Sequence, residues 1–271
     1  MSKRIYLKWT SDELDWLRAN YGKLPEKEMI EGLQGRKWEA IKKKAFVLGL
    51  RHESFAKKKA DLSILLHDNP VTYYWLGFLM ADGGFTDRRI QLGVAEKDLD
   101  HLNRFLSFVG STNKIQELEQ DQYRVKLTNV DVVRKLRAKF NISSRKTYEP
   151  CDLTGLTDDL LFSLIVGFID GDGCVHCTGI HTHRLIVVGH ASWLSNFNLM
   201  QEFLHRRFAS ENHKYRHAYL REVRVRLPGK KRKSQHTLAV FYIGKTGILR
   251  AIKQKADDLG LPYMERKLGQ L

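Results

Sequence analysis

Along the first 52 residues, apolar positions recur three and four apart between charged ones, the spacing of short amphipathic helices. Trp9, Leu14 and Leu17 form the apolar side of a first helix, and Thr10 or Ser11 ahead of Asp12 and Glu13 gives it a capping-box start. "PEKEMIEGL" predicts a second helix starting at Pro25. "RKWEAIKKKAFVLGL" predicts a third that ends near Gly49. In the third, Trp38, Ile41, Ala45 and Leu48 line one side, leaving Arg36, Lys37, Lys42, Lys43 and Lys44 toward solvent. The pattern weakens over residues 53–70, which read as a linker with a short amphipathic piece that Pro70 closes.

Beyond residue 70 the chain is written twice. "WLGFLMADGGF" (75–85) superposes on "IVGFIDGDGCV" (165–175), placing Gly77 on Gly167, Phe78 on Phe168, Asp82 on Asp172 and Gly83 on Gly173, each pair ninety residues apart. After each copy, period-two apolar residues give way to helical periodicity in "RRIQLGVAEKDLDHLNRFLSFVG" and "HRLIVVGHASWLSNFNLMQEFLHRRF". Strand pairs follow, "NKIQELEQDQYRVKLTN" in the first copy and "YLREVRVRL" with "HTLAVFYIGK" in the second. Each copy then adds a helix and ends in an Arg-Lys pair, at 145–146 and 266–267. The predicted fold is α+β, with repeats over 71–150 and 151–271 that each run helix, two strands, helix, two strands, helix.

The repeated helix carries the candidate chemistry. Gly77 with Ala81, and Gly167 with Gly171, put small residues at i and i+4, so two such faces can meet backbone to backbone. Packed about a pseudo-twofold axis, the helices bring Asp82 and Asp172 to one edge, where two carboxylates repel unless a cation stands between them. Oxygen donors suit Mg²⁺, with Ca²⁺ or Mn²⁺ as substitutes, and Mg²⁺ is commonly held by one or two carboxylates plus substrate phosphate. A backbone oxygen near Ala81 is the further oxygen donor within reach of such a cation. An Asp-x-Asp phosphatase reading, with Asp170 as nucleophile, requires "SLIVGFI" to be a strand. Cys174, Cys177, His181 and His183 offer a zinc cluster, but a strand sends residues three apart to opposite faces, so histidines facing a nucleic-acid groove fit better.

Charge narrows the partner. Lys and Arg total 46 against 31 acidic residues, a net +15, which attracts polyanions and makes nucleic acid the expected partner. Three cysteines in 271 residues do not make a disulfide framework, and no apolar run approaches membrane-spanning length. The expectation is an intracellular protein without a membrane partner.

On the residues quoted, Trp9, Leu17, Tyr21, Ile30, Leu33, Gly35-Arg36, Ala40-Ile41 and "LGL" resemble the Myb/SANT-like helix-turn-helix modules over residues 1–52. The paired "WLGFLMADGGF" and "IVGFIDGDGCV" resemble the LAGLIDADG homing endonucleases in their monomeric two-repeat form, over roughly residues 71–271. That resemblance implies αββαββα repeats forming a DNA-binding saddle, a long duplex target and Mg-dependent double-strand cleavage, with Asp82 and Asp172 as the metal ligands. It further implies basic residues near the scissile phosphates, for which Lys146, Lys267 and Lys97 are the candidates. Its penultimate acidic position is Asp170 in the second copy but Met80 in the first. DNA contacts are expected from Arg36, Lys42 and Lys43 of the third helix, from the strand pairs Arg124 with Lys126 and Arg224 with Arg226, and from the turn Lys230, Lys231 and Arg232. A catalytically silent RNA maturase or DNA-binding regulator on the same scaffold is the alternative.

Overall fold

The computed structural model describes residues 8–50, 60–179, 182–209, 216–225 and 234–271. The chain divides into two compact units, Met1–Lys59 and Ala60–Leu271.

The first unit has three helices, α1 (Ser11–Asn20), α2 (Glu26–Gly32) and α3 (Trp38–Val47). Thr10 caps α1: its hydroxyl accepts from the Glu13 amide at 3.2 Å, and the Glu13 carboxylate accepts from the Thr10 amide at 2.8 Å. Leu17, Met29, Leu33 and Ile41 form the core, with Trp9, Trp16, Tyr21 and Trp38 packed round it. Lys42 and Lys43 are exposed as expected. Arg36 is not. Its guanidinium donates twice to Glu13 at 2.8 Å and to the Lys8 carbonyl at 2.6 Å, and it stacks 4.5 Å from the Trp9 ring. The helix begins only at Trp38, so its periodicity does not govern residue 36, which instead ties the loop to α1.

The second unit starts inside the segment read as a linker. Leu62 and Leu65, on a 3₁₀ turn at Leu62–Leu66, are buried in its core, and the Asp61 amide donates to the Val109 carbonyl at 2.7 Å. Asn69 caps the next helix and Pro70 occupies its first turn, where a missing amide costs nothing.

From there the two copies fold alike. The first is α4 (Pro70–Ala81), β1 (Gly83–Phe85), β2 (Arg89–Ala95), α5 (Leu99–Phe108), β3 (Gln116–Leu118), β4 (Gln122–Thr128) and α6 (Val130–Phe140). The second is α7 (Asp158–Asp172), β5 (Gly173–Gly179), β6 (Thr182–His190), α8 (Leu194–Phe208), β7 (Tyr219–Val225), β8 (Ser234–Ile243) and α9 (Thr246–Asp258). Each copy makes one antiparallel four-stranded sheet, ordered β1-β2-β4-β3 and β5-β6-β8-β7. The fold is α+β with pseudosymmetric repeats, as the sequence predicts. No helix among the described residues is long and apolar enough to cross a membrane.

The α4 and α7 helices form the centre. Every residue of α4 from Thr72 to Ala81 is buried, because a helix apolar all round has no face to give to water. Their contact is reciprocal: a Cβ at Gly77 would stand 1.9 Å from the Leu164 carbonyl oxygen, and one at Gly167 would stand 1.8 Å from that of Tyr74. The same ninety-residue offset that the sequence shows therefore holds in space. Glycine after each aspartate is also steric, since a Cβ at Gly83 or Gly173 would stand 2.4 Å from the carbonyl oxygen of Leu79 or Ile169.

Candidate active site at the joined helix ends

Close packing of α4 on α7 brings their C-terminal ends together. A Cβ on Gly171 would lie 3.4 Å from the Asp82 amide nitrogen, and Asp82 and Asp172 stand at the two ends. Both side chains are open to solvent on one side, and among the described residues neither carboxylate accepts a hydrogen bond or an ion pair. Loss of water against the packed helix ends raises Asp82 to about 6, the charge of Asp172 adds to the rise, and Lys267 and then Lys146 oppose it. Asp172 is raised by the same loss of water, with Lys146 and then Lys267 opposing. The strongest cation at each aspartate thus comes from the other repeat's Arg-Lys pair.

The two lysines are placed by the helices they end. The Lys146 ammonium donates to the carbonyls of Met80 at 2.6 Å and Ala81 at 2.5 Å. The Lys267 ammonium donates to those of Ile169 at 3.2 Å, Asp170, and Gly171 at 2.9 Å. Carbonyls at a helix C-terminus lack intrahelical partners and carry the negative end of the helix dipole, so an ammonium satisfies both needs. Burial lowers the pKa of each lysine, and nearby carboxylates resist that fall. The backbone oxygens near Ala81 are therefore occupied by lysine. Two aspartates and two lysines balance in charge, leaving an all-oxygen pair of carboxylates free to ligate a hard divalent cation.

Contacts between repeats fix the Arg-Lys segments. In one, the Trp193 indole donates to the Lys146 carbonyl at 3.1 Å. In the other, Arg266 donates to both oxygens of Asp98, at 2.5 and 2.6 Å. Asp98 and Trp193 close the equivalent 3₁₀ turns, Glu96–Asp98 and Ala191–Trp193. Lys97 sits exposed on the first of these turns without an ion-pair partner among the described residues, and its neighbour Asp98 makes the contact instead.

Asp170 lies within α7 and is fully buried, which rules out the strand-borne nucleophile of the phosphatase reading. It accepts from the Tyr74 hydroxyl at 2.6 Å and the Met264 amide at 2.8 Å, and burial pushes it up to about 7. Among the described residues the first repeat has no such network: Met80 is buried against Cys151, whose sulfur is 3.4 Å from its own. His101, 2.8 Å from the Tyr74 hydroxyl, is driven down to about 4 by burial. Tyr74, His101, Asp98, Trp193 and Met264 belong to the site's surroundings without being part of any motif in the sequence. Only the matched turns at Asp98 and Trp193 carried a signal, through the repeat.

On the sheets, Arg124 and Lys126 alternate with buried Val125 and Leu127, so both take the face away from the core. Gln91 and Gly93 of β2 stand opposite them. Arg224 pairs with Gln235 in the β7–β8 ladder. Arg226, Lys230, Lys231 and Arg232 lie outside the described residues. His183 does not face a groove: it alternates in phase with Leu185 and Val187, is buried, and its amide donates to the Thr246 hydroxyl at 2.9 Å. Cys174 is exposed, while His181 and the Cys177 side chain lie outside what is described.

No family model matches the sequence, and no curated protein does. Solved structures with a similar trace include the LAGLIDADG meganuclease I-CpaMI bound to uncleaved DNA, at 14% identity and TM-score 0.45, covering 73% of this chain and 88% of that one. The I-LtrWI LAGLIDADG homing endonuclease bound to target DNA gives 11% identity and TM-score 0.45, over 72% and 86%. I-SmaMI bound to uncleaved DNA target in the presence of calcium ions gives 11% identity and TM-score 0.44, over 75% and 88%.

Proposed function

We propose that this protein is a site-specific double-strand DNA endonuclease of the LAGLIDADG homing type, acting as a monomer on a long duplex target. The observation that carries the reading is the pair Asp82 and Asp172, unpartnered among the described residues and set at the abutting ends of two helices related by an internal repeat. Two equivalent acidic ends suit two antiparallel strands, one cut on each. The +15 net charge and the basic residues Arg124 and Lys126 on a sheet face support a polyanionic duplex as substrate. Lys42 and Lys43 on exposed α3 positions fit a second DNA contact from the helix-turn-helix unit.

In this mechanism Asp82 and Asp172 would hold Mg²⁺, or Ca²⁺ or Mn²⁺ in its place, and such an ion would supply Lewis acidity for the in-line attack of water on phosphorus. Lys146 and Lys267 hold the helix ends rigid through the carbonyls they bind. Their ammonium groups also place positive charge where the phosphate's negative charge grows.

Cleavage of a randomised duplex library with Mg²⁺, then with EDTA, tests this reading. Metal-dependent, site-specific double-strand breaks that vanish in Asp82→Asn and Asp172→Asn are expected. Salt-sensitive binding of a selected duplex without any break would replace nuclease with regulator, and preferential binding of structured RNA would replace it with maturase.

A further inference from the structure

The two lysines at the helix ends are held by unlike devices. The Lys267 amide donates to the Met264 carbonyl at 2.9 Å, so residues 264–267 form a single turn. The Met264 amide, which opens that turn, donates at 2.8 Å to Asp170 Oδ2. The same oxygen receives the Tyr74 hydroxyl at 2.6 Å. With its proton committed there, that hydroxyl takes the hydrogen of His101 Nε2, 2.8 Å away, which assigns the imidazole its Nε2–H tautomer. His101 is itself wedged among aromatic rings, its centroid 4.8 Å from those of both Trp75 and Phe78. A chain of side chains from the first repeat thus ends on a carboxylate of the second, and that carboxylate holds the turn bearing Lys267. Among the described residues nothing equivalent serves Lys146, since the matching position is the thioether of Met80. Asp170 itself lies outside the paired carboxylates, being fully buried.

We propose that Asp170, braced by Tyr74 and His101, is a positioning residue for Lys267 alone, and so controls the cut on one DNA strand and not the other. The strand-specific part rests on the nuclease reading above; the selectivity for Lys267 does not. Removing a buried acceptor that is bonded twice is costly, because both donors, here the Tyr74 hydroxyl and the Met264 amide, are left with neither protein nor water.

Two arms separate these parts. In the first, the protein without DNA is labelled with acetic anhydride, and Lys146 and Lys267 are quantified by mass spectrometry in wild type, Tyr74→Phe, Asp170→Ala and Asp170→Asn. Lys267 is expected to label about tenfold faster in Asp170→Ala and to shift the same way, less far, in Tyr74→Phe. In Asp170→Asn it stays near the wild-type rate, because one amide oxygen can accept both bonds, and Lys146 is unchanged throughout. Should Asp170→Ala fail to fold by circular dichroism, Tyr74→Phe carries the test, since it removes one hydroxyl only. A rise in both lysines together, or in neither, overturns the proposal.

In the second arm, a duplex selected by wild-type cleavage is labelled differently on each strand. Asp170→Ala is expected to slow one strand about tenfold and to accumulate a nick of one polarity, with Asp170→Asn restoring it. Equal slowing of both strands overturns the strand assignment. If the wild type cuts no duplex while Lys267 labelling still responds to Asp170, the nuclease reading fails and the positioning of Lys267 stands.

Discussion

Asp82 is held in a state that folding opposes. Its pKa lies at about 6, against 3.8 for an ordinary aspartate, chiefly through loss of water on burial and then through the charge of Asp172. A carboxyl raised in the folded state gives its full stability below the unfolded pKa and loses it as pH climbs through the folded one. Relative to Asp82→Asn, the metal-free wild type should therefore lose thermal stability between about pH 4 and pH 6. Melting both proteins in EDTA at pH 4 and pH 8 checks this, and a gap that does not widen in favour of the variant at pH 8 contradicts it. On the proposed function, the same substitution is expected to lower double-strand cleavage by about a thousandfold or more, because it would remove a metal-holding charge rather than a contact of the fold. Its far-ultraviolet circular dichroism should match the wild type.

At the scale of elements, glycines sort by what stands next to them. Gly77→Ala drives a methyl to within 1.9 Å of the Leu164 carbonyl, where both helices are buried and neither has room to retreat. A loss of about 3 kcal/mol or more in urea unfolding is expected. Gly247, in the first turn of α9, meets nothing within 4 Å, so Gly247→Ala should gain about 0.5 kcal/mol instead. In the trihelical unit, Arg36 holds the Glu13 carboxyl down at about 2 through the pair of hydrogen bonds it donates. A lowered carboxyl contributes stability above its unfolded pKa and loses it as pH falls toward the folded one. Arg36→Ala should therefore cost the unit about 1.5–3 kcal/mol at pH 7, and less as pH drops from 4.5 toward 2 in acid titrations followed by tryptophan fluorescence.

Elements and their order were legible because each rests on neighbours in sequence. The apolar run at 70–81 and its copy needed only hydropathy, and the Asp82–Asp172 pairing needed only the repeat. The contacts that hold the lysines were not legible. Tyr74 meets Asp170, and Trp193 meets Lys146, at separations of 96 and 47 residues that match no period of the chain. His183 shows a subtler failure, since alternation says only that neighbours in a strand oppose one another, and the packing against α9 decides which of them is inside.

The whole molecule is a polycation of +15 built on an internal duplication. Binding to duplex DNA should weaken by about a hundredfold or more between 50 and 200 mM salt, measured by fluorescence anisotropy on a fixed duplex, because each lysine or arginine on a phosphate releases a counterion. A flat salt response would argue against a backbone-tracking polyanion surface.

Duplication has also left the two halves dependent on each other's charge. Asp82 is countered first by Lys267, and Asp172 first by Lys146. Severed between residues 151 and 157, the chain would yield two pieces that each own a carboxylate but lack the cation that counters it first. Mixed, they should complement, with cleavage rising as the product of the two concentrations: a functional unit that exists only as an encounter, which the covalent chain makes permanent.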